Sequence, residues 1–565
     1  MNILSSLINY IVFHLGSLLG SVFLNDYLKK ARNGKKTSEK ILRKIIRKNK
    51  DTEYGRKYGF SKIKTIDDFR NSVPLSTYDD YKEYIDQMRL QGKQNLITSK
   101  RITDFTTTSG TTSSKKYIPQ FASSSLSFLR CVCIFVNQCV RALHERKVSA
   151  AYVRGFLVTE VTDAYEEKDD NGSVGYFSQY SISVTKVFMP MFTQVPGDVI
   201  GCGEIEDREY FKCRWALQEK DLKFIVATFM SLVTFSISYI EKNHEMLIED
   251  IEKGTIHPDI RMSESIRKKL QSTLKPDPER AAELREIFNN PDERPLVSRI
   301  WPEMSYITAI GSADFEPFTK TMIKFCDDDV VFNNSFYACS ESIIGCAVYF
   351  NDPRYLLLPD AAFYEFIPVD SDNRNKTLLM HELEEGKLYE IIITTFAGFY
   401  RYQLKDVIRV VGFEGETPLI EFAYRANHVT DICNTHVTGD DLSFCIKKLE
   451  DDYQIHVSDY SIYANPDYTK PRIEFFIECT QELKDQDREK METSLEEYLG
   501  LHNWEYGDNR RLNFLCPVKM YTVKKDTYHN YRKLVLSGGA SSNQLKAMRL
   551  IDTEEKLNYL KDNLI

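Results

Sequence analysis

Asp104-Phe-Thr-Thr-Thr-Ser-Gly-Thr-Thr-Ser-Ser-Lys-Lys-Tyr-Ile-Pro119 is the stretch on which the reading of this chain turns. Eight hydroxyl residues surround a single glycine, Gly110, and Lys115 and Lys116 precede an apolar restart at Tyr117, Ile118 and Pro119. Hydroxyl and backbone N–H donors are neutral, so a loop of them wraps a phosphate without packing like charges together. The lysines then supply the counter-charge. The Gly-x-x-x-x-Gly-Lys-Ser/Thr spacing of a Walker loop is absent. A polar surface loop is the commoner fate of such a run, and on this stretch alone both readings stand.

Three further stretches match what a phosphate loop needs. Tyr337-Ala-Cys-Ser340-Glu341 places an aromatic, a hydroxyl and a carboxylate within five residues. An aromatic stacks on a purine, a hydroxyl reaches phosphate, and Mg²⁺ takes one or two carboxylates alongside phosphate oxygens. Tyr400-Arg-Tyr-Gln-Leu-Lys-Asp406 follows an expected strand at 388–395 and offers, in a loop, a carboxylate to accept hydrogen bonds from ribose hydroxyls. Ser537-Gly-Gly-Ala-Ser-Ser-Asn-Gln-Leu-Lys546 ends a glycine- and serine-rich stretch on a cation. Each has a plain alternative: Tyr337 as a core aromatic, Asp406 as a turn residue, Lys546 as a solvated cation.

Taken in order, the four stretches resemble the adenylate-forming superfamily to which firefly luciferase belongs, and most of all the Gretchen Hagen family of acyl-acid amido synthetases. Thr108-Ser-Gly-Thr-Thr112 with Lys116 and Pro119 resembles the family's phosphate loop, Tyr337 to Glu341 its Tyr-x-x-Ser-Glu motif, and Tyr402 with Asp406 its ribose motif. Gly398-Phe-Tyr-Arg-Tyr402 and the Gly-Ala-Ser-x-Asn-Gln-x-Lys run ending at Lys546 separate this family from acyl-CoA ligases. Asp51-Thr-Glu-Tyr-Gly55 and Tyr58-Gly-Phe60 fit it too.

The resemblance implies an α/β protein: a large N-terminal luciferase-like adenylation domain (31–428) behind an apolar N-terminal helix (1–30), and a smaller C-terminal α/β domain (429–565). It implies ATP and Mg²⁺, a carboxylic acid activated as acyl-AMP, and an amine, expected to be an amino acid, that displaces AMP to give an amide. Ser109, Gly110, Thr111 and Thr112 would hold phosphates, with Ser340 beside them. Lys116 and Lys546 would neutralise them, Glu341 would hold the metal, Tyr337 would lie near adenine, and Tyr402 and Asp406 would bind the ribose. The acyl pocket would draw on the helix after the loop and on Ser305–Ser312. A cytoplasmic monomer is expected. The alternatives are a thioester-forming ligase and a degenerate, membrane-associated nucleotide binder without turnover.

Four departures from the family pattern stand out. Ser113, Ser342 and Lys405 occupy positions where glycine is usual, and Asn434-Thr-His436 replaces a Gly-Glu-Lys common in bacterial members. Glycine tolerates positive φ and close ligand approach, so each substitution is expected to narrow the site.

Composition is consistent with this. Hydrophobic content of 42% and charged content of 28% are those of a globular protein with a full core. A net charge of −8 argues against general nucleic-acid binding. The 12 cysteines include no Cys-x-x-Cys pair, and no His-Glu-x-x-His occurs, so buried thiols are expected rather than a zinc site.

The N-terminus is less ordinary. Residues 3–24 carry no charge and are mostly apolar, with Ser5, Asn9, Ser17 and Ser21 recurring on a slow stripe beside Gly16 and Gly20. A basic run from Lys29 to Lys50 follows, with Ile41, Leu42, Ile45 and Ile46 at amphipathic helical spacing inside it. Docking of the first helix on the protein and contact with an anionic membrane are both open.

Elsewhere the periodicities predict a long helix over 123–143 and buried strands at 148–158, 224–227, 355–358, 363–369 and 388–395. They predict a charged helical cap over 235–295. After a restart near 425, helices over 443–449 and 485–499 and strands at 461–463 and 472–479 complete the pattern.

Overall fold

The computed structural model describes residues 3–108, 116–121, 124–158, 167–169, 172–176, 192–195, 207–290, 294–311, 316–334, 336–369, 371, 373–425, 428–433, 435–467, 469–481, 483–537 and 548–565. The chain resolves into two compact units, one of residues 1–108 with 115–426 and the other of residues 109–114 with 427–565.

In the first unit, α1 (Ile3–Ala31) leads through a two-residue turn into α2 (Gly34–Asn49). The inner face of α2, Ile41, Leu42, Ile45 and Ile46, is buried as its spacing predicts, in one core with Phe363, Tyr364, Ile391 and Ile408. Those last four belong to a seven-stranded antiparallel sheet. Its strands are β3 (Phe336–Cys339), β4 (Ser342–Cys346), β5 (Tyr355–Leu357), β6 (Phe363–Pro368), β7 (Leu388–Thr394), β8 (Tyr402–Glu414) and β9 (Thr417–Arg425), ordered β6-β7-β8-β9-β5-β4-β3. A hairpin of β1 (Asp104–Thr108) and β2 (Lys116–Gln120) pairs Thr108 with Lys116, so the hydroxyl-rich stretch is the hairpin's connection.

A second sheet in this unit is parallel. Its strands Gly155–Leu157, Phe224–Phe229, Tyr306–Ile310 and Val331–Asn333 neighbour one another in chain order, with helices in the crossovers. Buried apolar strands alternating with helices are the α/β pattern the sequence suggested. The expected strand at 148–158 shrinks to Gly155–Leu157. Asn9 of α1 takes the place of a neighbouring strand at Val153: its amide accepts from the Val153 N–H at 3.0 Å and donates to the Val153 carbonyl at 2.9 Å.

The helix expected over 123–143 runs from Ser124 to Glu145 and is α3 here. The helical stretch expected as a solvated cap is only partly so. Met230–Lys253 buries Val233, Ile237, Ile240, Leu247, Ile248 and Ile251, a complete apolar stripe that its many charges obscure in the sequence.

The second unit holds a three-stranded sheet, Val457–Asn465 antiparallel to Arg472–Cys479 and the latter parallel to Lys519–Thr522. Helices Gly439–Tyr453 and Asp485–His502 also belong to it, close to the expected spans.

The motifs Asp51–Gly55 and Gly398–Tyr402 are brought together as architecture. The Tyr54 and Tyr400 rings stack with centroids 4.8 Å apart, and the Tyr400 hydroxyl donates to the Ile97 carbonyl at 2.7 Å. Tyr81 Oη accepts the Tyr400 N–H at 2.8 Å and donates to its carbonyl at 2.9 Å. Gly398 has φ +108 and lies so close to Ile97 that an added Cβ would sit 2.8 Å from its carbonyl oxygen, a place only glycine fits. Arg401 is buried and forms a two-pronged pair with Glu365, at 3.0 and 3.1 Å, while donating to the carbonyls of Arg70 and Val73.

Candidate functional site

The candidate site is built on the first unit's antiparallel sheet and the hairpin beside it. β3 and β4 pair Cys339 with Ser342, so Ser340 and Glu341 form the two-residue turn between them. Both are half-buried at that turn. Ser342, where glycine is usual, does not adopt positive φ, so its side chain brings no backbone strain.

Asp406 was expected in a loop, but it lies inside β8. Four steps of β8, from Gln403 to Val407, face only two steps of β7, from Ile392 to Glu390. The strand therefore bulges at 404–406. Lys405 sits at the centre of the bulge with φ +69, the left-handed conformation that glycine adopts freely and lysine does not. Bulges of this kind re-aim a neighbouring side chain, and here the neighbour is Asp406. The glycine preference at 405 thus has a backbone cause rather than one of room for a ligand. The lysine is held by Glu390, 3.5 Å from its ammonium, and by Gln403 at 2.9 Å.

A pair of variants isolates the strain. Lys405→Ala loses the ion pair and keeps the left-handed backbone, whereas Lys405→Gly loses the pair and relaxes the backbone. Lys405→Gly is expected to be more stable than Lys405→Ala by about 1 kcal/mol in urea denaturation. Equal stabilities would remove the strain from this account.

Asp406 is buried, and its Oδ2 accepts a hydrogen bond from the Tyr337 hydroxyl at 2.6 Å. Two motif residues far apart in the chain are thereby joined. The Tyr337 ring is buried between Tyr355 and Phe422, each with its centroid 5.9 Å away, so what Tyr337 offers the site is its hydroxyl as a brace for the carboxylate. Glu341 and Asp406 are also near enough to Cys339 to act on it electrostatically. Burial first, and then these two carboxylates, push its thiol well above the ordinary range, so it stays protonated and inert. Tyr402, four residues before Asp406, is buried against Phe399 at 4.8 Å, with Tyr81 at 6.3 Å.

Gln120, at the end of β2, was not legible as a site residue. Its side-chain amide donates to the Ser340 carbonyl at 2.9 Å and to the Thr106 hydroxyl at 3.0 Å. It ties the hairpin carrying the hydroxyl stretch to the turn carrying Ser340 and Glu341. The sequence marks it only as a polar residue directly after the apolar restart at 117–119. Lys116 begins β2, half-buried, with its ammonium 5.7 Å from the centroid of the Tyr78 ring. Ser109, Gly110, Thr111, Thr112, Ser113 and Lys546 lie outside the described residues, as does Asn434.

Among the described residues no three His, Cys, Asp or Glu side chains converge as an all-protein metal cage. A Mg²⁺ ion at Glu341 would take its other ligands from phosphate oxygens and water, which is its ordinary preference in nucleotide sites. A single half-buried carboxylate in a two-residue turn fits that role.

The comparisons with known proteins agree with this architecture. The sequence matches the GH3 family N-terminal domain over residues 23–331, the GH3 family central domain over 355–425 and the GH3 family C-terminal domain over 440–555. It is 24% identical to a jasmonoyl–L-amino acid synthetase, JAR4, of Nicotiana attenuata, over 91% of each chain. It is also 24% identical to an indole-3-acetic acid-amido synthetase, GH3.17, of Arabidopsis thaliana, over 94% of this chain and 93% of that protein. Its fold superposes on the solved GH3.15 acyl acid amido synthetase with a TM-score of 0.62, at 22% identity and 95% coverage of both chains. With family domains matched along most of its length, the chain belongs to the GH3 family.

Proposed function

We propose that this protein is an ATP-dependent acyl-acid amido synthetase: it converts a carboxylic acid to an acyl-adenylate and joins the acyl group to the amine of an amino acid. The observation that carries this reading is the Tyr337–Asp406 hydrogen bond beside the Ser340–Glu341 turn, with Gln120 tying that turn to the hydroxyl-bearing hairpin. Relatives named as amido synthetases align along nearly the whole chain, which supports amide rather than thioester formation.

In the first half-reaction a carboxylate oxygen of the acid attacks the α-phosphorus of ATP, the α–β bridging bond breaks, and pyrophosphate leaves. Little proton transfer is needed; the demand is for neutralisation of charge in a site that excludes water. Hydroxyls and N–H groups of 109–112 and the Ser340 hydroxyl hold phosphate oxygens. Lys116 and Lys546 supply positive charge. Glu341 would hold Mg²⁺, which would supply charge screening for the phosphates and the departing pyrophosphate. Asp406, braced by Tyr337, accepts from the ribose hydroxyls. In the second half-reaction an amine nitrogen attacks the acyl carbon, the acyl–phosphate bond breaks, AMP leaves, and the nitrogen loses a proton to give the amide.

ATP–pyrophosphate exchange against a panel of carboxylic acids, then mass analysis with amino acids or coenzyme A added, tests the reading. Acid-dependent exchange and a product equal to acid plus amino acid minus water are expected. Absence of exchange with every acid, or a thioester as the product, would overturn it.

Within this reaction Tyr337→Phe removes one hydrogen bond to a buried carboxylate while keeping the ring. Such a bond contributes about 1.5 kcal/mol or more, so the KM for ATP should rise roughly tenfold with a smaller change in kcat. An unchanged KM in steady-state exchange would show that Asp406 needs no brace.

A further inference from the structure

Helix α1 is turned inside out. In a surface helix of a soluble protein the apolar stripe faces the core and the polar face meets water. Here the weakly polar stripe faces inward. Asn9 bonds both backbone groups of Val153, and the Asn137 amide donates to the Ser17 carbonyl at 3.1 Å. Gly20 lies against α3 so closely that a Cβ would sit 2.0 Å from the Cys133 carbonyl oxygen. Phe13 and Tyr27 complete this buried face.

Leu7, Ile11, Leu15, Leu18 and Val22 recur every three or four residues on the opposite face, and each exposes between 51% and 64% of its surface. This stripe runs about 22 Å along the helix. It precedes residue 23, where the match to the GH3 family N-terminal domain begins.

One turn beyond Val22 the same face passes through Asn25 to Lys29, both exposed. The outer face of α2 then presents Lys35, Lys36, Lys40, Arg43, Arg47 and Lys48, all exposed, with Glu39 as the one acidic residue of that helix. Lys100 joins this cluster. Its own burial, with Lys48 and Lys44 nearby, holds its ammonium below the ordinary lysine range. An apolar stripe that runs into a row of cations, on a chain of net charge −8, is a local reversal of the protein's overall sign.

We propose that this face docks on an anionic lipid bilayer, with α1 lying flat and its outer half in the boundary between headgroups and acyl chains, and with the α2 cations against lipid phosphates and carboxylates. Ser6–Ala31 is long and apolar enough to cross a membrane. A crossing helix, however, would strip Val153 of the Asn9 amide. It would also break the cluster in which Lys30 contacts Asp26 and Asp360 at 2.6 Å and Arg130 pairs with both aspartates. Lying on the surface keeps all of these bonds. A second copy is a poorer occupant, because the row of cations from Lys29 to Lys48 would meet an identical row in which Glu39 is the one acidic residue of α2.

The full-length protein sedimented with vesicles of phosphatidylcholine alone, and with vesicles containing roughly one-third phosphatidylserine, tests this. Partitioning to the anionic vesicles is expected to be stronger by on the order of tenfold or more, and to weaken as salt rises towards ~0.5 M. The triple variant Ile11→Gln/Leu15→Gln/Leu18→Gln should keep the wild-type melting curve and lose vesicle binding about tenfold or more. Lys36→Glu/Lys40→Glu/Arg43→Glu should lose the preference for phosphatidylserine. The proposal is overturned if the wild type stays in the supernatant with both vesicles, or if the triple variant binds as well as the wild type. It is equally overturned if light scattering finds a wild-type dimer that the triple variant abolishes, or if bound protein resists alkaline carbonate as a spanning helix does.

Discussion

Glu341→Ala is expected to slow ATP–pyrophosphate exchange by roughly a hundredfold, the scale on which removal of one electrostatic contact to a charged transition state is felt. Glu341 is half-buried in a two-residue turn, and its neighbours Cys339 and Ser342 are held by strand pairing, so truncation removes a carboxylate without removing a structural contact. The melting temperature should therefore stay within about 2 °C of wild type, as for other surface truncations. The Mg²⁺ concentration giving half-maximal exchange should rise in parallel with the loss of rate, whereas the KM for the acid should not. Full exchange activity with an unchanged Mg²⁺ requirement would take Glu341 out of the site. A lower melting temperature with the same Mg²⁺ requirement would make it a structural turn residue.

Arg401→Met should have the largest effect on stability, for the opposite reason. Glu365 is almost wholly buried, at 1% side-chain exposure, and Arg401 covers both its oxygens, while Arg70 and Thr377 each contact one of them. Methionine fills much of the arginine's volume but leaves a buried carboxylate short of charge and the carbonyls of Arg70 and Val73 without a donor. Breaking a buried pair from one side destabilises by about 3 kcal/mol or more. Arg401→Met/Glu365→Leu should recover part of that loss, since an apolar pair of similar volume removes the stranded charge. Urea denaturation followed by tryptophan fluorescence measures both. A single variant within about 0.5 kcal/mol of wild type would show that Arg70 alone neutralises Glu365, on the scale of an ordinary surface substitution.

These two predictions divide motifs that look alike in the sequence. Tyr337–Glu341 and Gly398–Asp406 both read as ligand motifs, yet the second is mostly architecture. Gly398, Tyr400 and Arg401 lock the N-terminal segment to the sheet, and only its last residues turn towards the candidate site. A motif's spacing records which residues are required together and leaves open whether a ligand or the rest of the chain requires them.

Periodicity by itself indicated the fold class, the long helices and a minority of the strands, those that are short buried apolar runs, because alternation and the 3.6-residue stripe are local consequences of which face is buried. Motif spacing and the family resemblance marked Lys116, Tyr337, Ser340, Glu341 and Asp406 as the residues to examine. Only the tertiary structure decided what those residues do for one another. The Tyr337–Asp406 bond joins positions 69 residues apart, and the Gln120–Ser340 bond positions 220 apart. The left-handed Lys405 arises from a mismatch between two strands, which neither strand announces alone. For α1 the sequence showed an apolar helix with a faint polar stripe and left its orientation open. Packing settled it: Asn9, Ser17 and Gly20 find partners on the protein, and leucines and isoleucines are left facing outward because the inner face was already filled.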